Sequence, residues 1–213
     1  MIDLARLRKV NLSKTPWGQL VVANCAMAPD FNFPRKTEIV LEGLENLPEG
    51  RGVIFAMNHT DRYNPWPFQY QLYRRKLGFT VTWVKAKYFE NWFVGPFMRF
   101  CNNIPLPSRG YVISAEFRKV AQRPPTNDEY RVLRDLMDGK RDASLGIQDG
   151  DTDDVQRFLT LDGQSVEERM KGLEVMFGEM MALVANLSSQ VLDELDSHLL
   201  VCPQGTRSKR LIQ

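Results

Sequence analysis

A chain of 213 residues, 43% hydrophobic and 25% charged, is long enough to bury one sizeable core and has the composition of an ordinary globular protein. Its formal net charge of +2 lacks the bulk basic field that marks a nucleic-acid binder, so no nucleic-acid partner is expected. The three widely separated cysteines, Cys25, Cys101 and Cys202, fit neither a disulfide framework nor a metal-ligand spacing, and suggest reduced thiols in a cytosolic setting.

In chain order, residues 1–36 read as an N-terminal segment distinct from a main domain over residues 37–213. Within it, WGQLVVANCAMA (Trp17 to Ala28) is apolar but too short to span a bilayer; it is expected as a helix, packed on the domain or lying at a membrane interface. No secretory leader and no run of ~18 apolar residues is evident, so the glycosylation-type triplets at Asn58 and Asn186 are set aside. VIFAMNH (Val53 to His59) is a short apolar run rich in β-formers and reads as a buried strand. PWPFQYQLYRRKL follows as a helix with Pro65 at its first position and Asn64 placed to cap it. FTVTWVKAK (Phe79 to Lys87) is a second strand ending in two lysines, and HLLVCPQGT (His198 to Thr206) a third. Strand, helix, strand in that order implies a parallel sheet with crossover helices, an α/β fold.

Between these elements, residues 115–165 are polar and read as an insertion of short helices and loops. Its acidic run, Asp149, Asp151, Asp153 and Asp154, lacks the ordered spacing and closing glutamate of a calcium loop, and no metal site is expected. From Val166 to Leu195 apolar residues recur at helical spacing (Met170, Leu173, Phe177, Met180, Val184, Leu187, Val191), predicting an amphipathic helix over the sheet. The aromatic segment YFENWFVGPFMRF (Tyr88 to Phe100) is apolar on nearly every face and suits core burial, the lining of an apolar channel or a membrane contact.

In open α/β sheets ligands bind beyond the carboxyl ends of the strands. His59 follows the first strand, Lys85 and Lys87 end the second, and Gln204, Gly205, Thr206 and Arg207 follow the third. Such a rim collects a proton acceptor, cations and a glycine turn whose backbone N–H groups suit an anion. An arginine there can grip a phosphate with two parallel hydrogen bonds.

These residues resemble motifs of the glycerolipid acyltransferase family, typified by 1-acylglycerol-3-phosphate acyltransferase. NHTDRYN (Asn58 to Asn64) stands where that family has His-x4-Asp, NNIPLPSRG (Asn102 to Gly110) where it has a segment ending in arginine, and CPQGTRS (Cys202 to Ser208) where it has F-P-E-G-T-R-S. The likeness spans roughly residues 37–109 and 175–210, preceded by a typical lead-in from Leu41. Asn64 replaces the motif aspartate, Gln204 the motif glutamate and Asn103 a glycine, and the family's closing elements have no counterpart after Ser208.

The resemblance implies a mainly parallel sheet flanked by helices. It also implies transfer of a fatty acyl group from acyl-CoA or acyl-carrier protein to a lysophospholipid hydroxyl, with no cofactor beyond the thioester, at the inner face of a membrane. His59 would take the hydroxyl proton, with Asn64 or Asp61 orienting its ring; Arg109, Gln204, Gly205, Thr206 and Arg207 would hold the acceptor phosphate. The loss of two motif carboxylates leaves other readings: a catalytically silent lipid-binding or scaffold protein on the same fold, or an acyltransferase for a different acceptor.

Overall fold

The computed structural model describes residues 2–58 and 65–203. In chain order the elements are α1 (Leu4–Arg8), α2 (Trp17–Val22), a π-helical turn (Ala23–Met27), α3 (Ala28–Asn32), β1 (Ile54–Ala56), α4 (Pro65–Arg74) and β2 (Thr80–Lys85). There follow α5 (Val94–Phe100), β3 (Ile104–Leu106), α6 (Arg109–Ala121), α7 (Asn127–Met137), α8 (Asp153–Leu159), α9 (Val166–Asp193) and β4 (His198–Val201). The four strands form one sheet in the order β1-β4-β2-β3, and every pairing is parallel. The α/β architecture expected from the sequence is the one observed.

The alternation along β2 shows how the sheet separates two helical layers. Val81 is buried in the main core, and Trp83 turns to α9, donating its indole N–H to Ser188 Oγ at 3.1 Å. Thr80 and Thr82 face the other way; both hydroxyls accept from the Gln69 side-chain amide of α4, at 2.6 and 3.1 Å. Successive strand residues point to opposite faces, so α9 covers one face and α4 the other.

Helix α9 begins with a capping box: Ser165 Oγ accepts from the Glu168 N–H, and the Glu168 carboxylate from the Ser165 N–H. Its buried positions, Val166, Met170, Leu173, Met180, Val184 and Val191, follow the predicted stripe and pack on β3 and β4. By length and composition alone α9 is long and apolar enough to cross a bilayer, although charged residues interrupt its apolar sequence. Its apolar stripe is used by the core.

The polar stretch 115–165 is more deeply integrated than an insertion of loops suggests. Leu133, Leu136 and Met137 of α7 and Val155, Phe158 and Leu159 of α8 belong to the same buried cluster as Val81 and Leu199 of the sheet. Phe117 of α6 and Phe158 meet with ring centroids 5.6 Å apart. Two members of its acidic run are paired with arginines: Asp151 with Arg141, and Asp154 with Arg123 and Arg157. Among the described residues no group of His, Cys, Asp or Glu side chains is arranged to hold a metal ion.

The N-terminal segment is built into the domain as well. Ile2, Leu7 and Leu12 are core residues. On α2, Gly18 lies so close to α5 that a Cβ there would sit 2.4 Å from the Phe100 carbonyl oxygen. Gln19 then uses its side-chain amide to join Thr80 of β2 and Cys101 beyond α5, donating to both carbonyls at 2.7 and 2.8 Å.

Candidate active site

Because all four strands run parallel, their carboxyl ends emerge along one edge of the sheet. The β1–β4 ladder continues to that edge, where the Met57 N–H donates to the Val201 carbonyl at 2.9 Å. The segment beginning at His59 follows β1, and the one beginning at Gln204 follows β4, its immediate neighbour in the sheet. Of the eight candidate residues, His59, Asp61, Asn64, Gln204, Gly205, Thr206 and Arg207 lie outside the described residues. Arg109 is described, and Lys85 and Lys87 stand on the same edge, at the end of β2 and just past it.

Arg109 is placed by β3 and by the start of α6. Ser108 caps that helix, its Oγ accepting from the Tyr111 N–H at 3.1 Å, which sets Arg109 in the first turn. Gly110 beside it leaves room for the Tyr130 ring of α7, whose hydroxyl a Cβ there would crowd. The half-exposed Arg109 guanidinium sits over the Phe177 ring of α9, 5.9 Å from its centroid, and 3.7 Å from the Asp138 carboxylate. Arg134 also approaches Asp138, at 3.3 Å, so that carboxylate is shared between two guanidiniums. An incoming phosphate would compete with a long, exposed ion pair, which is a weak competitor.

An apolar cavity of about 240 Å³ lies on the α4 face of the sheet. Pro65 and Trp66 border it at the start of α4, Val22 and Met27 on the N-terminal helices, Phe97 on α5, and Val84 on β2. Its few polar groups are mostly committed elsewhere: Gln19 and Gln69 to the bonds above, and the Asn103 amide N–H to the Met98 carbonyl at 3.2 Å. Cys101 also lines it, and burial pushes its thiol up to about 11. That thiol stays protonated near neutrality and is a poor nucleophile. Pro65, which borders the cavity, directly follows the segment 59–64 in the chain. The sequence pointed to Tyr88–Phe100 as a possible tunnel lining; Phe97 and Met98 fit, whereas Trp92 and Phe93 are open to solvent.

The second histidine, His198, escaped notice in the sequence. It opens β4 at the opposite edge, is buried, and has both ring nitrogens engaged. Nδ1 accepts from the Val53 N–H at 3.2 Å and Nε2 donates to the Leu77 carbonyl at 2.6 Å. Its place as the first residue of a strand that has its polar groups at the far end was the available signal of a structural role.

No curated protein and no solved structure matches the chain. Residues 38–132, which run from the lead-in to β1 through the first part of α7, match the family model described as Acyltransferase, and over this part the chain is similar to acyltransferases.

Proposed function

We propose that the protein is an O-acyltransferase that moves a fatty acyl group from acyl-CoA or acyl-carrier protein to the hydroxyl of a lysophospholipid such as 1-acylglycerol-3-phosphate, in phospholipid biosynthesis. The observation that carries this reading is the apolar cavity bordered by Pro65, the residue that follows the His59 segment in the chain. A ligand pocket usually offers roughly 300–1,000 Å³. A narrower, apolar space with its polar atoms already bonded suits a hydrocarbon chain better than a headgroup.

In this reading His59 accepts the proton of the acceptor hydroxyl as its oxygen attacks the thioester carbonyl. The new C–O bond forms, the tetrahedral oxyanion collapses, the C–S bond breaks, and the departing thiolate recovers the proton from the imidazolium. Asn64, or alternatively Asp61, holds the ring in the tautomer that presents a free nitrogen to the hydroxyl. Arg109 and Arg207 hold the acceptor phosphate, with Gln204, Gly205 and Thr206 shaping the turn. The reaction needs no cofactor besides the thioester. The protein works peripherally at the inner face of the membrane, from the cytoplasmic side, where its lipid acceptor resides.

Thioester consumption by the full chain against phosphorylated and uncharged acceptors tests the assignment, with His59→Ala as control. Turnover that requires both His59 and an acceptor hydroxyl supports it. The replacement of two motif carboxylates by Asn64 and Gln204 favours one competing reading, a silent lipid-binding protein on this fold. Acyl-chain binding with no His59-dependent turnover on any acceptor would establish that reading instead.

A further inference from the structure

Helix α5 inverts the usual amphipathic rule. Its buried contact is made by Gly95, where a Cβ would lie 2.5 Å from the Phe89 carbonyl oxygen. Its outward face carries Phe93, Phe97 and Phe100, spaced i, i+4, i+7, all exposed. Trp92 precedes them at 86% exposure, with Phe93 at 71% and the two rings 5.8 Å apart. Helix α2, locked to α5 through Gly18, adds Trp17 and Val21, one turn apart and also exposed. Soluble surfaces seldom carry so many large apolar groups on neighbouring elements without a use for them.

The exposed charges on the two segments that build this surface have one sign. From Trp17 to Met27 there is no charged residue. From Lys85 to Phe100 the charged groups are Lys85, Lys87, Arg99 and Glu90. The three cations are exposed. Glu90 is turned inward, one carboxylate oxygen accepting from the Tyr111 hydroxyl at 2.5 Å and the other lying 3.6 Å from Arg118 of α6. Aromatic side chains ringed by cations match the chemistry of a bilayer interface with anionic headgroups. The cavity meets this surface, since Phe97 and Trp66 both line it and are both exposed.

We infer that the α5 face, with Trp92, Phe93 and the exposed side of α2, is the surface by which the protein docks on an anionic lipid bilayer, with the mouth of the apolar cavity turned toward the lipid. This deepens the peripheral placement proposed above, and vesicle binding tests it independently of turnover. Docking would let an acyl chain pass from lipid to cavity without crossing water.

The experiment is flotation of the full chain with vesicles of phosphatidylcholine, with or without phosphatidylglycerol. The wild type should bind best when phosphatidylglycerol is present. The double variant Trp92→Ser, Phe93→Ser should bind both vesicle types roughly tenfold or more weakly, since two large aromatic side chains no longer leave water. Its melting temperature should not change, because both rings are exposed. Lys87→Gln with Arg99→Gln should remove the preference for phosphatidylglycerol while leaving residual binding to phosphatidylcholine. His59→Ala should bind as the wild type does. Wild-type binding by the serine variant overturns the inference, as does failure of the wild type to bind either vesicle. A self-associated wild type that the serine variant converts to monomer, with vesicle binding unchanged, would assign the face to a second copy and also overturn it. A wild type that turns over dispersed substrates yet ignores vesicles would defeat this inference and leave the proposed function standing. Vesicle binding without His59-dependent turnover would do the reverse.

Discussion

At the residue scale, the two histidines belong to opposite ends of the strands in sequence. His59 follows the carboxyl end of β1 in sequence, while His198 opens β4 at the amino edge. Asn64 can orient an imidazole through its side-chain carbonyl but brings no charge to the imidazolium formed as the hydroxyl proton is taken. Replacing an aspartate by asparagine in a serine-protease triad costs ~10⁴ in rate. The reverse change, Asn64→Asp, should therefore raise kcat by roughly tenfold or more, an effect that His59→Ala abolishes in either background. The start of α4 should survive, because aspartate caps a helix as well as asparagine does. If Asn64→Asp leaves turnover unchanged or lower, Asp61 becomes the orienting residue and Asp61→Asn the damaging change.

His198 should behave in the opposite way. His198→Ala leaves the Val53 N–H and the Leu77 carbonyl without their partner and opens a void under Gly78, whose φ of +107° already commits that turn to glycine. A loss of about 2–4 kcal/mol is expected in denaturant titration. The kcat of the folded fraction should be retained, since His198 lies at the far end of the sheet from the proposed chemistry.

At the element scale, α7 and α8 are joined by a polar knot around Glu129. This buried carboxylate accepts two hydrogen bonds from Arg123, at 2.8 and 2.7 Å, one from the Thr126 N–H and one from the Thr152 hydroxyl. The Arg123 guanidinium above all, aided by the hydrogen bonds of Thr126 and Thr152, holds the Glu129 carboxyl far below the ordinary glutamate value of 4.5. A folded-state value depressed below the unfolded one favours folding above that ordinary value, and the gain is lost as pH falls through it and beyond. Glu129→Gln should lower Tm at pH 7 by roughly 3–6 °C. It should also flatten the fall of Tm on acidification, so that variant and wild type converge in acid. Parallel curves from pH 7 to pH 3 would show that the knot contributes nothing through its charge.

The same scale shows what was legible in the sequence. β1, β2 and β4 were readable as β-rich apolar runs, although β1, expected to be buried, exposes Ile54 and Ala56 at the end of the strand order; α4 and α9 were readable by a proline at the first position and by a long periodic stripe. β3 was not, because Ile104-Pro105-Leu106 is three residues with a proline at its centre. Proline cannot donate to a ladder, but β3 lies at the end of the strand order and pairs with β2 alone, where the missing N–H is tolerated. α6, α7 and α8 were hidden by average polarity. Each buries only a narrow face, such as Leu133, Leu136 and Met137 on α7, and turns the remainder to solvent. The stretch's arginines and aspartates look like a solvated insertion until their mutual pairing is seen.

At the scale of the whole molecule, the strand order sets which parts of the candidate site can meet. Neighbouring strands lie ~4.8 Å apart, so the end of β1 is about 5 Å from that of β4 and about 14 Å from that of β3. The chain that carries Arg207 thus leaves the sheet beside the chain that carries His59, whereas Arg109 starts three strand spacings away. The sequence showed both arginines following apolar strands, but the order of strands depends on pairings between distant residues, which local patterns do not encode. If the proposed acceptor is bound along this rim, the short span from its hydroxyl to its phosphate favours Arg207 as the principal grip and Arg109 as the outer one. Arg207→Ala should raise KM for a phosphorylated acceptor roughly tenfold to a hundredfold, the cost of a lost charge-assisted, two-pronged contact. Its effect on an uncharged acceptor should be slight. Arg109→Ala should raise the same KM by a smaller factor, and Asp138→Asn, which releases Arg109 from its 3.7 Å ion pair, should lower it. Steady-state kinetics on paired acceptors with and without the phosphate decides the matter. A larger penalty from Arg109→Ala than from Arg207→Ala would mean that the phosphate lies toward the β3 edge, so that the acceptor crosses the rim in the opposite direction. Equal penalties on charged and uncharged acceptors would show that neither arginine reads the phosphate and that both serve the donor or the fold.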